Sequence, residues 1–247
     1  MKEERFQAIL DIIDEKEFIS VAALSEKLYV SMPTIRRDLS TLQDMGLIRR
    51  GHGGAISRNT NRMGAPMPFR ASVKPEEKLR MCQAAAKLLR DNCVIFLDES
   101  TTTVSIIEYL TDFKNITIVT NSMEVLNRAY DKSIDAYCLG GKMSAETKSF
   151  LGSSTEEMVR RFGLDYMFFS SSGISKNGWI VDYYESANSL RRAVARIAEK
   201  KVFLCDSRKF LKNEAFTLMP LCELDYIITD EPLPEGLDSG DAIRIVV

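Results

Sequence analysis

Ser31-Met32-Pro33-Thr34-Ile35-Arg36-Arg37-Asp38-Leu39-Ser40-Thr41-Leu42-Gln43-Asp44-Met45-Gly46 is the stretch on which the reading of this chain turns. Ser31 suits a helix N-cap, because its hydroxyl can accept from an orphan N–H of the first turn. Pro33 fits that first turn, where a missing N–H costs nothing. Gly46 suits the stop. Ile35, Leu39 and Leu42 share one face and should bury. Arg36 and Arg37 cannot join that face. With Ser31, Met32, Pro33 and Ser40 they form an outward surface.

Upstream, Phe6, Ile9, Leu10, Ile12 and Ile13 fall on one face of a first helix. Residues 18–21 are too few for a helix of their own. Ser20 is placed to cap a short second helix over 21–28, with Ala22, Ala23, Leu24 and Leu28 available for packing. Downstream, Leu47-Ile48-Arg49-Arg50 and Ala55-Ile56-Ser57 flank Gly51-His52-Gly53-Gly54, which predicts a small hairpin with a basic strand. Two short helices, a tight turn, a third helix with an outward arginine pair and a hairpin wing describe a winged helix-turn-helix. Such a helix reads base edges in the major groove with its N-terminal half. The whole chain carries a net charge of −2, so any affinity for phosphate must be local. It is local here: five arginines stand between Arg36 and Arg58, against Asp38 and Asp44. Asp38 is expected to pair with a neighbouring arginine inside the domain.

These residues match a known signature. Arg5-x3-Ile9-x3-Ile13, then Ser31-x2-Thr34-Ile35-Arg36-Arg37-Asp38-Leu39, then Arg49-Arg50-Gly51-His52-Gly53-Gly54-Ala55, resembles the DeoR-type family of bacterial sugar-metabolism regulators. The resemblance implies that Ser31, Thr34, Arg36 and Arg37 contact operator DNA, Thr34 through a phosphate. Arg50 and His52 would lie beside the backbone or the minor groove. Together with the outward Met32 and Ser40 and the basic Arg49, these make the expected DNA-binding set.

Residues 58–74 lose periodicity and carry two prolines and a glycine, the composition of a joint. The expected division is a DNA-binding domain over 1–57, a linker over 58–71 and a second domain over 72–247. There, apolar runs at 94–97, 116–119, 136–139, 166–169, 202–205, 226–229 and 243–247 alternate with helical patterns at 75–91, 103–111, 122–131, 153–162 and 186–200. Continuously apolar strands between helices predict a doubly wound α/β domain, its mostly parallel sheet covered on both faces. Ligands of such folds bind beyond the carboxyl ends of the strands. The residues that follow the runs are small, hydroxylated or glycine, with occasional lysine, which suits an anion. They supply the expected effector set: Asp98, Ser100, Thr101, Thr102, Asn121, Ser122, Gly140, Ser172, Gly173 and Lys209.

The resemblance extends here through Leu97-Asp98-Glu99-Ser100-Thr101-Thr102-Thr103, Ile118-Val119-Thr120-Asn121-Ser122, Leu139-Gly140-Gly141, Ser171-Ser172-Gly173-Ile174 and Asp206-Ser207-Arg208-Lys209-Phe210. It implies a sensor domain similar to ribose-5-phosphate isomerase, a small phosphorylated sugar as effector, and Lys209 facing its charge. One departure is plain: the family's Ser-Gly before the threonines is here Glu99-Ser100. A carboxylate beside a phosphate repels it unless it is neutralised or turned away.

Other classes are excluded or set aside. His52 is the one histidine, which argues against a Ser-His-Asp site and against imidazole-rich zinc sites. No cofactor or metal is expected. The rival to a sensor is a sugar-phosphate isomerase joined to a DNA-binding module. Aldose–ketose isomerisation needs a positioned carboxylate base, and none stands in Ser170-Ser171-Ser172-Gly173. A third reading, a protein-interaction module on the same scaffold, predicts no salt-sensitive DNA affinity. The five cysteines show no C-x-x-C spacing and read as reduced thiols. The N-terminus lacks the basic and apolar regions of a signal peptide, and no apolar run approaches the ~18–20 residues of a membrane span. The expectation is therefore a cytoplasmic homodimer or homotetramer that represses a carbohydrate-metabolism operon until its effector binds.

Overall fold

The computed structural model describes residues 2–16, 18–51, 53–57 and 67–247. It divides into two compact units, 1–73 and 74–247.

The first unit holds α1 (Lys2–Lys16), β1 (Phe18–Ser20), α2 (Val21–Leu28), α3 (Met32–Asp44), β2 (Ile48–Gly51), β3 (Gly54–Ser57) and α4 (Met67–Ser72). Local chemistry sets the boundaries. The Ser20 hydroxyl accepts from the Ala23 N–H and the Ser31 hydroxyl from the Thr34 N–H, so α2 and α3 start where their caps stand. Tyr29 ends α2 in a left-handed conformation. The wing pairs antiparallel, Ile48 with Ser57 and Gly51 with Gly54, and β1 adds a third strand against β3. Gly54 is forced by this pairing, because a Cβ there would lie 2.2 Å from the Ile19 carbonyl oxygen. Phe6, Ile9, Ile13, Leu24, Ile35, Leu39, Leu42 and Ile48 close one core. Most of α4 falls in the segment expected to be linker, 58–71, and Met67 at its start and Val73 just after it are buried.

The second unit holds α5 (Pro75–Ala86), β4 (Val94–Leu97), a 3-10 helix (Thr103–Asp112), β5 (Thr117–Thr120), α6 (Met123–Asp131), β6 (Ala136–Cys138), β7 (Lys142–Ser144), β8 (Ser149–Leu151), α7 (Ser153–Val159), β9 (Leu164–Phe169), β10 (Gly173–Ile174), β11 (Trp179–Asp182), α8 (Glu185–Ala195), β12 (Ala198–Cys205), β13 (Phe216–Pro220), β14 (Tyr226–Thr229) and β15 (Ile243–Val246). Seven strands form a sheet in the order β15-β14-β12-β9-β4-β5-β6, every pair parallel. Along one strand the side chains alternate between two cores. Phe96, Met167, Phe169 and Phe203 pack with α7 and α8 on one face. Ile95, Leu97, Phe168, Val202 and Leu204 pack with α5, the 3-10 helix and α6 on the other. Two-sided burial is why the strands read as unbroken apolar runs. Several details differ from the sequence reading: the helices expected over 75–91 and 153–162 end at Ala86 and Val159. The helix expected over 186–200 ends at Ala195, and Ala198–Lys201 join β12 by pairing with Leu164–Met167 of β9. The stretch from Thr103 is 3-10 rather than α.

The strand order reverses between β4 and β9. Chain segments after β4 build outward to β5 and β6, and those after β9 build outward to β12, β14 and β15. That reversal opens a crevice at the carboxyl ends of β4 and β9.

Leu39 is fully buried in the first core. Leu39→Ala should cost about 2–5 kcal/mol of that unit's stability. Urea denaturation followed by probes placed in each unit should show the first unit melting earlier and the second unchanged.

Candidate functional site

The outward face of α3 is built by elimination. Ile35, Leu39 and Leu42 are fully buried, which turns Ser31, Met32, Arg36 and Arg37 to solvent and leaves Thr34 and Ser40 half-buried. Asp38 is buried and accepts from Arg5 on α1 at 2.6 Å and 3.2 Å. Its partner is thus an arginine 33 residues away, not one beside it. Asp38 therefore neutralises neither Arg36 nor Arg37. Arg49 and Arg50 are exposed on β2, and the Arg50 guanidinium donates to the Ser40 hydroxyl at 2.9 Å, which ties the wing to α3. His52 lies outside the described residues. The surface is a helix N-terminus with hydroxyls and four guanidinium groups, the chemistry that takes phosphates and guanine edges.

The crevice of the second unit is organised by Asp98. It follows β4, is fully buried, and bridges the two strands of the switch point. One carboxylate oxygen accepts from the Ser100 N–H (3.1 Å) and the Thr103 hydroxyl (2.7 Å). The other accepts from the Ser170 N–H beyond β9 (3.2 Å) and from Arg191 of α8 (3.0 Å). Arg191 also pairs with Glu99 at 3.1 Å and with Asp182 at 2.8 Å, so one buried guanidinium holds three carboxylates. Burial works against the Arg191 charge, and Glu99, Asp182 and Asp98 more than reverse it, raising its pKa. Burial pushes the Glu99 carboxyl up, Arg191 opposes that, and Asp98 adds to it. Glu99 also accepts from the Asn121 amide nitrogen at 3.0 Å. The carboxylate that departs from the family pattern is thus turned onto Arg191.

A second pole is cationic. The Lys78 ammonium stands 3.4 Å from the Thr101 hydroxyl. Lys209 donates to the Ser170 hydroxyl at 2.9 Å and faces Asp206 at 3.8 Å. Burial pushes the Asp206 carboxyl up, but Lys209, Arg208, Lys78 and Lys74 bring it below its ordinary value. This is the direction expected where positive charge collects.

Two family models match the chain. A DeoR-like helix-turn-helix domain covers residues 5–61, and a DeoR C-terminal sensor domain covers 73–231. The chain belongs to the DeoR family. It is a DNA-binding transcription regulator. Among curated relatives it is 35% identical to the L-fucose operon activator of Haemophilus influenzae, over 94% of each chain. It is 31% identical to the lactose phosphotransferase system repressor of Streptococcus mutans, over 93% of this chain and 92% of that one. It is 28% identical to the glycerol-3-phosphate regulon repressor of Escherichia coli, over 94% and 92%. Among solved structures it is similar to ribose 5-phosphate isomerase A from Methanocaldococcus jannaschii, at 17% identity and a TM-score of 0.41, over 55% of this chain and 54% of that chain.

Within this DeoR sensor domain the other expected effector residues have these places. Ser100 shapes the turn that enters the 3-10 helix, its hydroxyl accepting from the Thr103 N–H at 3.2 Å. The Thr102 carbonyl accepts from the Cys82 thiol, while its buried hydroxyl has no partner. Ser122 caps α6 through the Val125 N–H. Gly140 turns with a φ of +57° and its carbonyl accepts from Thr155. Ser172 donates to Asp182 at 3.1 Å. Gly173 is a close approach, since a Cβ would lie 2.6 Å from the Lys212 Cβ. The hydrogen-bond network thus joins Asp98, Ser100, Asn121 and Lys209, and gives Ser122 and Gly140 cap and turn work.

Sequence reasoning missed Arg191, Asp182 and Lys78. A signal for Arg191 existed: it lies in the stripe Ala187-Leu190-Arg191-Val194, where every other member is apolar and buried. Among the described residues no helix is long and apolar enough to cross a membrane, and no group of three or more His, Cys, Asp or Glu is placed to hold a metal. Of the cysteines, Cys82, Cys93 and Cys205 are buried and Cys222 is exposed. Burial pushes the Cys82 thiol up to about 12, which makes it unreactive.

Arg191→Met should leave three buried carboxylates without their cation, at a cost of about 3–5 kcal/mol. The Glu99 carboxyl, already pushed up by burial, would lose the cation that opposes that shift and stand further above its unfolded-state pKa. The variant's stability should therefore recover as pH falls and worsen as pH rises. Chemical denaturation of variant and wild type at pH 5 and pH 8 measures both the loss and its sign.

Proposed function

We propose that this chain represses carbohydrate-metabolism genes from an operator read by α3 and the wing, and that a phosphorylated sugar bound in the crevice relieves it. The observation that carries the DNA half is the exposed Arg36–Arg37 pair on a helix whose opposite face is fully buried. The effector half is supported by the Lys78–Thr101 and Lys209–Ser170 pairs at the carboxyl end of the sheet, where an anion would meet two ammonium groups and the start of a helix. The relatives named for the L-fucose operon, the lactose phosphotransferase system and the glycerol-3-phosphate regulon point to the same gene class. The DNA-contact set is Ser31, Met32, Thr34, Arg36, Arg37, Ser40, Arg49, Arg50 and His52. Two copies would place two reading helices on half-sites about 34–36 Å apart. The effector acts by binding one arrangement of the copies more tightly than the other.

A sensor accounts for the crevice better than an isomerase does. Asp98, Glu99 and Asp182 all accept from Arg191, which leaves none of the three poised to take a proton from a substrate carbon.

Arg36→Ala and Arg37→Ala should each weaken binding to a selected genomic operator fragment by about 1–3 kcal/mol, or roughly tenfold to a hundredfold. Gel shifts at fixed salt measure this, and wild-type affinity in both variants refutes the assignment. A salt series on the wild type should fall by about 0.9 log units per phosphate contact for each log unit of salt.

A further inference from the structure

Several buried polar atoms of the sensor unit make no hydrogen bond. They are the Thr102 hydroxyl, the Asn121 amide oxygen, one Asp206 oxygen and both polar atoms of the Asn188 amide. Asp206 has the field of Lys209, Arg208, Lys78 and Lys74 to offset its loss. Asn188 has no comparable compensation. It is fully buried, and an amide buried with neither its donors nor its acceptor satisfied costs stability with no return inside the fold.

Its position gives the reason. Asn188 stands one turn before Arg191 on α8, and residues three apart on a helix are neighbours. α8 leads into β12, a strand parallel to the rest of the sheet, so the start of the helix lies toward the carboxyl-end rim. The backbone of Asn188 is therefore one turn nearer that rim than the backbone of Arg191, whose guanidinium holds Asp98 and Glu99.

Asn121 fits the same pattern. Its amide nitrogen is committed to Glu99 at 3.0 Å, which fixes the flip of the amide and presents its oxygen as an acceptor. Glu99 is in turn held by Arg191. Neutral groups that offer acceptors and donors are complementary to hydroxyls, because each hydroxyl both donates and accepts.

We infer that Asn188 and Asn121 read the hydroxyl-bearing end of the effector, with Glu99 as the positioning residue that orients Asn121. Asn188 is then a specificity-determining residue of the crevice. The inference rests on the crevice being the effector site. It divides the ligand between two poles: the anion against Lys78, Thr101 and Lys209, the hydroxyls against the two amides. A site built to bond a hydroxyl rejects the analogue that lacks it, because its own buried groups would stay unpaired.

The test uses the full chain and has two arms. The first needs no ligand. Asn188→Leu, of nearly the same shape, and Asn188→Ala each remove the orphaned amide. At least one should melt about 2–4 °C higher than wild type, the usual response of a chain of this size to relief of a single buried fault. A lower melting temperature in both would place the amide in the structural framework and overturn the inference. In the second arm wild type and Asn188→Leu are titrated with D-ribose 5-phosphate, 2-deoxy-D-ribose 5-phosphate, L-fuculose 1-phosphate and glycerol 3-phosphate. For any compound that binds wild type, the variant should lose about tenfold to a hundredfold in affinity. It should also lose any wild-type preference for ribose over deoxyribose phosphate. Equal binding by variant and wild type overturns the role of Asn188 and leaves the effector site standing. No binding of any of the four to wild type counts against both. Operator affinity, measured alongside, reports on the DNA half independently.

Discussion

Everything at the carboxyl end of the sensor sheet depends on one guanidinium. Three acids brought together in a protein interior repel one another and lose their hydration, and only a well-bonded cation makes that tolerable. Arg191 does so for Asp98, Glu99 and Asp182. Asp98, thus stabilised, receives the Ser170 N–H from across the switch point and the Thr103 hydroxyl from its own loop. The crevice is therefore an internally hydrogen-bonded structure with Arg191 at its centre. Its lysines and orphaned amides are what it can offer to a visitor.

The DNA-binding unit uses the same logic with opposite effect. There a buried carboxylate, Asp38, is satisfied by Arg5 from another helix. Pairing at a distance anchors α1 to α3 while Arg36 and Arg37 remain uncommitted to Asp38. Had Asp38 turned outward to pair with either, the positive potential of the reading face would be weakened. The Arg50–Ser40 hydrogen bond fixes the wing to the same helix, so the basic groups move as one surface.

What the sequence disclosed follows how local the cause was. The caps Ser20 and Ser31, the stripe Ile35-Leu39-Leu42 and the glycine turn of the wing act over a few residues, and the helix-turn-helix could be read in full. The parallel strands could be read because burial on both faces makes them apolar throughout. Asp98 and Asn121 could be picked out because they directly follow such runs, and Lys209 because it stands four residues beyond one. The arginine that organises them was passed over because its partners lie up to 93 residues away, although its place in an apolar helical stripe marked it as buried. The short strands β7, β8, β10, β11 and β13 were missed for a related reason: with two to five residues each, they carry too little pattern to register. The extension of β12 back to Ala198 was hidden by Glu199, Lys200 and Lys201, a charged tract that continues the helical pattern by composition alone.

The separation of Asp98 from Arg191 also bears on when the sensor comes into being. Loops that close over so many residues form late, and domains near the N-terminus emerge and fold first during synthesis. The reading head is complete within the first 73 residues, whereas the crevice waits for α8 and then for Asp206 and Lys209 beyond it. A growing or truncated chain can thus possess its DNA surface while still lacking any means of responding to a metabolite.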